Sequence, residues 1–552
     1  MVTATRPRFT THDVANQPPE LAGRNLFATD PILRECVARE GGAEALDSLT
    51  ELGDRAGSEE NFERAERANR NIPVLRAFDR YGNRIDEVRF DPAYHELMAL
   101  AIEAGTHSVA HDGSLARGGH VAHAARSYLL GQVELGTQCP VSMTYSAIPV
   151  LRKAGGLPAE YAHHALANRY DPRLGPAAHK AGLTFGMAMT EKQGGSDVRA
   201  NTTHAMPLAA GGAGEAYALV GHKWFCSAPM SDAFLTLAQT DAGLGCFFVP
   251  RVLPDGTRNA IRLQRLKDKL GNRSNASSEI EYHDAWALLL GDEGRGVATI
   301  IEMVHHTRFD ATTAGVSLMR MAFAQALHHC EHRSAFGKVL IDQPLMRNVL
   351  ADLALELEAS VALVFRIARA FDEGERDPAQ RAFARLAVAA AKYWVNRRVA
   401  EYVDECMNCL GGAGYVEESI LPRLFREAPL NGIWEGAYNV IALDVLRTLT
   451  REPLAVDVFF AELDLARGSD GHLDTAIDRL RDEVRTGVSE SSARSITQRL
   501  TQTLQGTLLT RFAPSTVASA FCRSRLGNDA GTAYGALPAT ATVAEIFERM
   551  RA

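Results

Sequence analysis

Two stretches, far apart in the chain, contain residues that could bind a polar ligand and move a proton. The first, Gly186–Val198, begins with small apolar residues, as a buried strand does, and then becomes a polar turn. Its glycines allow close backbone approach, so free amides and the hydroxyls of Thr190 and Ser196 can donate to an anion or a polar ring edge. The second stretch, Gly432–Asn439, places the carboxylate of Glu435 beside an indole and a glycine. Taken alone, the first stretch is equally compatible with a surface hairpin.

Four segments resemble the acyl-CoA dehydrogenase family, in which T-E-x-x-x-G-S-D and a later W/Y-E-G belong to one flavin site. In chain order they read MTEKQGGSDV, GHKWF, RLKDKLGNRSNAS and IWEGAYN. The resemblance covers roughly residues 186–449 and looks most like the AidB branch, bacterial flavoproteins linked to DNA alkylation damage. It implies an FAD-dependent oxidoreductase acting on CH–CH bonds, with an acyl-CoA or another small molecule as substrate.

The order of predicted elements agrees with that family. Short segments rich in β-branched and aromatic residues predict strands at 217–225, 234–240, 246–250, 261–263 and 278–282. Apolar residues three or four apart predict long helices at 297–333, 344–372, 378–410 and 439–449. The implied fold is α+β and mainly α, with an N-terminal helical domain (1–180), a β domain (181–295), a four-helix bundle (296–450) and an extra C-terminal helical domain (451–552). FAD would lie between the β domain and the bundle.

The resemblance also implies which residues contact FAD. Trp224 would lie against the flavin ring, with core filling as the alternative. Cys226 stands where many members have a threonine that donates to the flavin; because a thiol is a weak donor, either Ser227 substitutes or the flavin behaves differently. The complete set implied for the cofactor is Met189, Thr190, Gly195, Ser196, Trp224, Phe225, Cys226, Ser227, Arg333, Phe336, Gln343, Trp434, Gly436 and Asn439.

Arg333 opens RSAFG, which matches the family's R-x-x-F-G. In the family this arginine reaches the FAD pyrophosphate of a neighbouring subunit, a role that suits the guanidinium fork. The match implies a homotetramer. A solvated arginine at a helix end is the alternative.

Glu435 is the residue that the resemblance implies as catalytic base. The family reaction removes the α-proton of an acyl thioester, and burial can raise the pKa of a carboxylate for that purpose. Some members place the base just before an arginine that matches Arg308, implied to contact substrate, but Thr307 occupies that position and cannot serve. The alternative is that Glu435 caps the fourth bundle helix or is an idle base.

Composition sets wider limits. The chain has 46% hydrophobic and 23% charged residues, as globular proteins do, and no apolar run of about 18 residues that would predict a membrane span. Eight cysteines in 552 residues do not form a disulfide framework, and we therefore expect a cytoplasmic protein without a secretory signal.

The expectation that this protein binds DNA comes from the family resemblance and not from the charge of the chain. The net charge of −8 gives no bulk attraction to nucleic acid, so double-stranded DNA must meet a local patch. Residues 451–552 contain 12 arginines, no lysine and 13 acidic residues, which does not make a basic domain. We predict Arg447, next to this tail, as a DNA contact. A catabolic acyl-CoA dehydrogenase and a structural DNA-binding protein that retains FAD stay open as alternatives.

Two clusters that resemble metal or redox sites are interpreted as structural. His328, Cys330, Glu331 and His332 lie close in sequence, but the H-E-x-x-H order is absent, and we expect no metal. Cys406 and Cys409 form a C-x-x-C that ends a long helix, where small core residues are the simpler interpretation.

Overall fold

The computed structural model describes residues 11–153, 157–527, 531–538 and 543–550. Its N-terminal part is mainly helical. Helices begin where a side chain can accept a free backbone N–H: Asp30, Ser58 and Asp91 accept from Leu33, Asn61 and Ala93. The elements are α1 (Pro31–Arg39), α2 (Leu46–Ala56), α3 (Glu59–Arg70), β1 (Val74–Phe78), β2 (Arg84–Arg89), α4 (Pro92–Glu103), α5 (Gly119–Gly131), α6 (Gln138–Lys153) and α7 (Ala159–His164).

The hairpin of β1 and β2 was not predicted. The two strands pair antiparallel, with Val74 opposite Arg89, and the Asp79 carboxylate accepts the Tyr81 and Asn83 amides in the turn. β2 is rich in charged residues, and β1, VLRAF, has no buried residue, so neither strand shows the alternation of buried apolar and exposed polar residues on which a strand prediction depends.

The middle of the chain is a seven-stranded sheet that closes on itself. The strands are β3 (Phe185–Ala188), β4 (His204–Pro207), β5 (Ala216–Ser227), β6 (Ala233–Thr240), β7 (Gly243–Pro250), β8 (Ile261–Leu266) and β9 (Ser277–Leu290). Their order is β3-β6-β4-β5-β9-β7, with β8 on β9, and an additional β6–β7 pairing closes a barrel-like ring. All five predicted strands are present, β9 being much longer than expected. β3 pairs only with β6, in parallel, and delivers the polar turn at its C-terminal end.

The bundle confirms the long helical patterns. It comprises α8 (Gly296–His332), β10 (Ser334–Ala335), β11 (Lys338–Val339), α9 (Pro344–Gly374), α10 (Pro378–Leu410), α11 (Gly412–Tyr415), α12 (Leu421–Glu427) and α13 (Tyr438–Arg451). Prolines in the first turn start α9 and α10, and Gly411, at φ +63°, ends α10. A short hairpin, β10–β11, connects α8 to α9 and carries the RSAFG motif.

The C-terminal tail is helical and docks on the bundle. Its helices are α14 (Pro453–Asp464), α15 (Gly471–Thr486), α16 (Ala493–Phe512), α17 (Ser515–Phe521) and α18 (Val543–Glu548). The α16 side chain Thr501 donates to the Ala390 carbonyl of α10 at 2.9 Å, and Arg366 of α9 pairs with Glu462 of α14 at 2.8 Å. Helical patterns in the sequence at 473–484, 491–509 and 543–550 predict α15, α16 and α18, whereas α14 and α17 were not predicted. Among the described residues, no helix is long and apolar enough to cross a membrane.

Candidate active site

The turn that follows β3 is fixed by the buried carboxylate of Glu191. Its Oε1 accepts from Lys223 Nζ on β5 at 2.8 Å and from the Thr203 amide at 3.1 Å, and its Oε2 accepts from the Thr202 amide at 2.6 Å. Both members of the Glu191–Lys223 pair are fully buried. Burial acts to raise the pKa of Glu191, but Lys223 and the hydroxyl and amide donors of Thr203 and Thr202 outweigh it and hold the pKa at about 2. The base of the turn is therefore tied to the strand beside it.

The tip of the turn is exposed and offers hydrogen-bond donors. Gly194 has φ +127°, and a Cβ at Gly195 would lie 2.4 Å from Thr190 Oγ1, so this path requires glycine. The Trp224 amide donates to the Thr190 carbonyl at 2.8 Å and holds the turn against β5. Ser196 is exposed at the tip, and its hydroxyl has no hydrogen-bond partner in the described part of the chain. The tip thus presents the Ser196 hydroxyl, a donor for which the described residues supply no acceptor.

A register shift between Lys223 and Cys226 separates the aromatic and thiol side chains of β5. Trp224 and Phe225 face a cationic surface, with Lys267 Nζ 3.3 Å from the Trp224 ring centroid and 4.7 Å from that of Phe225. Cys226, in contrast, is fully buried in the apolar core of the barrel, where burial raises its thiol pKa to about 12. Its thiol does not share the aromatic surface. The hydroxyl of the next residue, Ser227, lies 3.2 Å from that of Ser277.

Glu435 lies in a partly buried loop between α12 and α13. Thr307 of α8 donates its hydroxyl to Glu435 Oε2 at 2.7 Å, and Arg308 Nε donates to the Glu435 carbonyl at 3.0 Å. Burial raises the pKa of the Glu435 carboxyl, while the Thr307 hydroxyl and the nearby Lys392 and Arg308 cations oppose that rise. The N-cap of α13 is Ala437, so Glu435 does not cap that helix.

Lys392 of α10 holds the same loop from the other side. Its ammonium donates to the Trp434 carbonyl at 2.8 Å and to that of Gly436, the two residues that flank Glu435. Burial lowers the pKa of Lys392 to about 7. Glu435 has φ +60°, a left-handed conformation that is uncommon for a residue with a side chain. Hydrogen bonds from Arg308 and Lys392 to the backbone carbonyls of this loop fix the conformation and direct the carboxylate toward α8.

The Arg308 side chain is bound by other residues of the protein. Its guanidinium pairs with Asp444 of α13 at 2.7 Å, and Asp444 also pairs with Arg385 of α10 at 2.7 Å. Arg308 is only 8% exposed. Its contacts therefore differ from the substrate contact expected for it: they connect the Glu435 loop to α13.

The two sequence stretches meet on one apolar cluster. Met189 and Trp434, both partly buried, pack against the same set of buried side chains beneath the sheet. The Trp434 indole donates to Asn431 Oδ1 at 3.0 Å. Asn439, at the start of α13, is exposed and accepts from Arg494 of the tail at 2.7 Å. The polar turn and the Glu435 loop are thus anchored on the same apolar cluster.

The RSAFG hairpin makes different contacts. Arg333 donates to the Asn16 carbonyl at 2.6 Å, and Gln343 donates to the Ala335 carbonyl at 3.1 Å. Phe336, at the hairpin tip, has φ +53° and is fully exposed. None of these contacts within the described residues joins the hairpin to the turn or to the Glu435 loop.

Comparison with known proteins decides the family. Residues 16–172 match the adaptive response protein AidB N-terminal domain, 186–285 the acyl-CoA dehydrogenase middle domain, and 294–450 the acyl-CoA dehydrogenase C-terminal domain. The chain is 46% identical over 524 residues to the putative acyl-CoA dehydrogenase AidB of Escherichia coli K12, covering 94% of this chain and 95% of that protein. The chain belongs to the acyl-CoA dehydrogenase family.

Solved structures agree with this assignment. The structure of Caenorhabditis elegans ACDH-11 in complex with C11-CoA superposes with a TM-score of 0.84 at 26% identity, covering 95% of this chain and 96% of that one. The Bd2924 apo-form gives a TM-score of 0.83 at 28% identity, covering 91% and 100%. A Bacillus anthracis acyl-CoA dehydrogenase complexed with FAD shares the fold alone, with a TM-score of 0.63 at 16% identity and coverage of 79% and 81%.

The residues of this acyl-CoA dehydrogenase fit FAD, the cofactor of the family. The exposed turn tip offers the Ser196 hydroxyl and the Gly195 amide, and the neighbouring Trp224 and Phe225 offer aromatic faces among cations. FAD needs polar donors, a flat apolar contact and positive charge. The protein is an FAD-dependent oxidoreductase acting on CH–CH bonds.

Sequence reasoning missed Glu191, Lys223, Lys392 and Asp444. A signal existed for the lysines, because Lys392 interrupts the apolar run AVAAAKYWV and Lys223 lies between strand residues. A charged residue within an apolar sequence that is expected to be buried needs a hydrogen-bonding or oppositely charged partner. No comparable signal marked Asp444, whose partners come from α8 and α10.

Proposed function

We propose that this chain is an AidB-type acyl-CoA dehydrogenase-like flavoprotein in which Glu435 is the α-proton base. The observation that carries the proposal is the partly buried Glu435 carboxylate, which is bonded to Thr307 at 2.7 Å and held on a loop fixed from two helices. A base needs a fixed position and a pKa near the working pH. Burial supplies the rise in pKa, and the hydroxyl keeps the carboxylate form accessible.

In this proposal Glu435 takes the α-proton of an acyl thioester onto a carboxylate oxygen. FAD, when bound, supplies the hydride acceptor for the β-carbon. Thr307 orients the carboxylate, while Arg308 and Lys392 hold its backbone. Restricting the base in this way reduces the motion needed to reach the transition state.

The substrate class we propose is an acyl-CoA, since ACDH-11, a structural relative at 26% identity, was solved in complex with C11-CoA. The test is anaerobic mixing of the FAD-loaded protein with a panel of straight and branched acyl-CoAs, watching the flavin absorption band. Bleaching supports dehydrogenase chemistry. Rapid turnover of short branched acyl-CoAs with an electron acceptor would instead favour a catabolic enzyme. No bleaching with any member of the panel contradicts Glu435 as a working base.

We propose a cytoplasmic homotetramer. Support comes from the exposed hairpin of β10 and β11, where Phe336 is fully exposed and Leu345, close behind it, is 83% exposed. Large apolar side chains at a projecting tip are typical of a protein interface. All eight cysteines are unpaired, which agrees with a reducing compartment. Sedimentation analysis of the FAD-loaded protein tests the tetramer.

We propose in addition that the protein binds double-stranded DNA and protects it from alkylation damage. The similarity to AidB over 94% of this chain motivates this role. A specific surface supports it: Asn439, Leu443 and Arg447 are all exposed and lie four residues apart, on one face of α13. Arg494 contacts Asn439 at one end of this face.

The charges on this face are not compensated. Arg447 and Arg451 have no ion-pair partner among the described residues, whereas most tail arginines do. The paired tail arginines are Arg467, Arg479, Arg481, Arg485, Arg499, Arg511, Arg525 and Arg549. Because their charge is already neutralised, the α13 face is the surface on which we expect phosphate contact. Salt-dependent duplex binding without acyl-CoA turnover would favour a structural DNA-binding protein that retains FAD.

A further inference from the structure

The C-terminal end of α8 carries three potential metal ligands on one face. His328, Glu331 and His332 are spaced i, i+3 and i+4, and one ligand atom of each lies within 4.8 Å of the others. The imidazole rings of the two histidines are 4.3 Å apart. The H-E-x-x-H order that would predict a zinc site from sequence is absent here. Helical spacing nevertheless brings two imidazoles and one carboxylate together on the same face of α8.

Hydrogen bonds fix which nitrogen of each ring is free to bind a cation. His328 Nε2 is 2.8 Å from the Pro19 carbonyl, and His332 Nδ1 is 2.8 Å from the His328 carbonyl. A carbonyl oxygen can only accept, so both of these nitrogens carry hydrogen. In neutral imidazole the other nitrogen then keeps its lone pair. Histidines that bind metals usually donate their second N–H to a carbonyl in this way.

We propose that His328, Glu331 and His332 form a site for a divalent transition-metal ion, with zinc as the reference ion. Two imidazoles and one carboxylate are a set that zinc binds in proteins, leaving a fourth position for water. The site lies at the C-terminal end of a 37-residue helix, whose dipole favours a cation.

The location gives the ion a structural role. The N-terminal segment reaches this end of α8 through Pro19, bonded to His328, and through Asn16, whose carbonyl accepts from Arg333 at 2.6 Å. An ion bound by His328 fixes the ring that holds Pro19. The metal therefore fastens the N-terminal segment over the end of α8, beside the RSAFG hairpin.

The first experiment is calorimetric titration of the chelator-treated full-length protein with zinc chloride. We expect one equivalent per chain, with affinities in the order copper above zinc above cobalt above manganese. His332→Ala and His328→Ala should each weaken zinc binding by at least about tenfold, the lower end of the effect of disturbing a metal site. His283→Ala is the matched control, because His283 faces a single carboxylate, Glu281, at 3.1 Å without a second histidine.

The second experiment follows proteolytic cleavage within residues 11–30. Zinc should slow this cleavage in the parent and in His283→Ala, but not in His332→Ala. His332 is exposed, so its replacement leaves the helix packing intact. The proposal is overturned if no zinc binds, if neither α8 variant weakens binding, or if zinc binds and cleavage near Pro19 proceeds at the same rate.

Discussion

Thr307 donates its hydroxyl to Glu435 across the boundary between α8 and the loop before α13, at 2.7 Å. The position before Arg308 is where some family members keep the base itself. Here that position holds a hydrogen-bond donor directed at the carboxylate that we propose as the base. The contact tunes Glu435, because a donor to a carboxylate favours its charged form.

Replacing Thr307 with valine should shift the pH dependence of flavin bleaching to higher pH. The base must be deprotonated, so the rate rises with pH through the pKa of Glu435, and the Thr307 hydroxyl opposes the rise in that pKa caused by burial. Without the donor the pKa moves further up, and so does the rising limb of the profile. Stopped-flow mixing with an acyl-CoA across pH measures it.

Thr312→Val is the control for that experiment. Thr312 lies on the same helix and donates to the Arg308 carbonyl at 2.9 Å. Loss of the Thr312 hydroxyl should leave the pH at which the bleaching rate rises unchanged. A Thr307→Val profile that coincides with the parent profile would show that Thr307 does not act on the base.

Glu435→Gln should slow acyl-CoA-driven bleaching by roughly 10²–10⁴-fold, the usual contribution of a general base. Glutamine keeps the shape of the side chain and still accepts from Thr307, but it cannot take a proton at neutral pH. Glu418→Gln, at an exposed position on the bundle, should bleach like the parent. If Glu435→Gln bleaches as fast as Glu418→Gln, another group is the base.

Much of this region could be predicted from sequence, because its helices and the turn after β3 depend on residues that are close together in the chain. The helices α8, α9 and α10 follow apolar spacing, and the turn after β3 follows from Gly194 and Gly195. What could not be predicted depends on contacts between distant segments. Lys392 meets the carbonyls beside Glu435 only once α10 has packed against the loop.

The misplaced residues have physical reasons as well. The resemblance implied that Trp224 and Cys226 both contact the cofactor, but the register shift between Lys223 and Cys226 turns the thiol into the core. A bulge of this kind reverses the facing of every residue beyond it. Arg308 was expected at the substrate, yet it meets Asp444, whose position depends on how α13 packs.

Glu191→Gln should lower the free energy of unfolding by about 3–5 kcal/mol, because it leaves the buried Lys223 ammonium without its charged partner. Urea unfolding of the FAD-free protein measures this. Glu281→Gln, 41% exposed on β9, should change stability by less than about 0.5 kcal/mol. A loss at Glu191 no greater than at Glu281 would show that the pair does not stabilise the turn.

The sign of the pH dependence follows from the depressed pKa of Glu191. Its folded value of about 2 lies below the ordinary 4.5, so its contribution is complete above about pH 4.5 and is lost as pH falls toward 2. The difference between parent and Glu191→Gln should therefore be largest near neutral pH and shrink in acid.

Arg333→Ala should weaken FAD retention and the tetramer together. A guanidinium that binds the pyrophosphate of a neighbouring subunit's cofactor links the two equilibria by mass action. We expect roughly 10- to 100-fold weaker FAD binding, from the loss of charge-assisted hydrogen bonds. Lys338→Ala, exposed on the same hairpin, is the control. A variant with full FAD content and an unchanged sedimentation coefficient would assign Arg333 only to its contact with Asn16.

Arg447→Ala should weaken duplex DNA binding uniformly across sequences and lower the salt slope by about one, as expected for one lost phosphate contact. Arg467→Ala is the matched control, because Arg467 is also an exposed arginine but already pairs with Asp478. Its loss should leave the slope unchanged. Acyl-CoA bleaching should be unaffected in both variants, since neither arginine contacts the Glu435 loop in the described structure.

The measurement is fluorescence anisotropy of a labelled duplex from about 50 mM salt upward, starting where phosphate contacts are strongest. If the parent fails to bind at the low-salt end, the DNA role is wrong. If Arg447→Ala and Arg467→Ala give the same slope as the parent, the α13 face is not the contact surface.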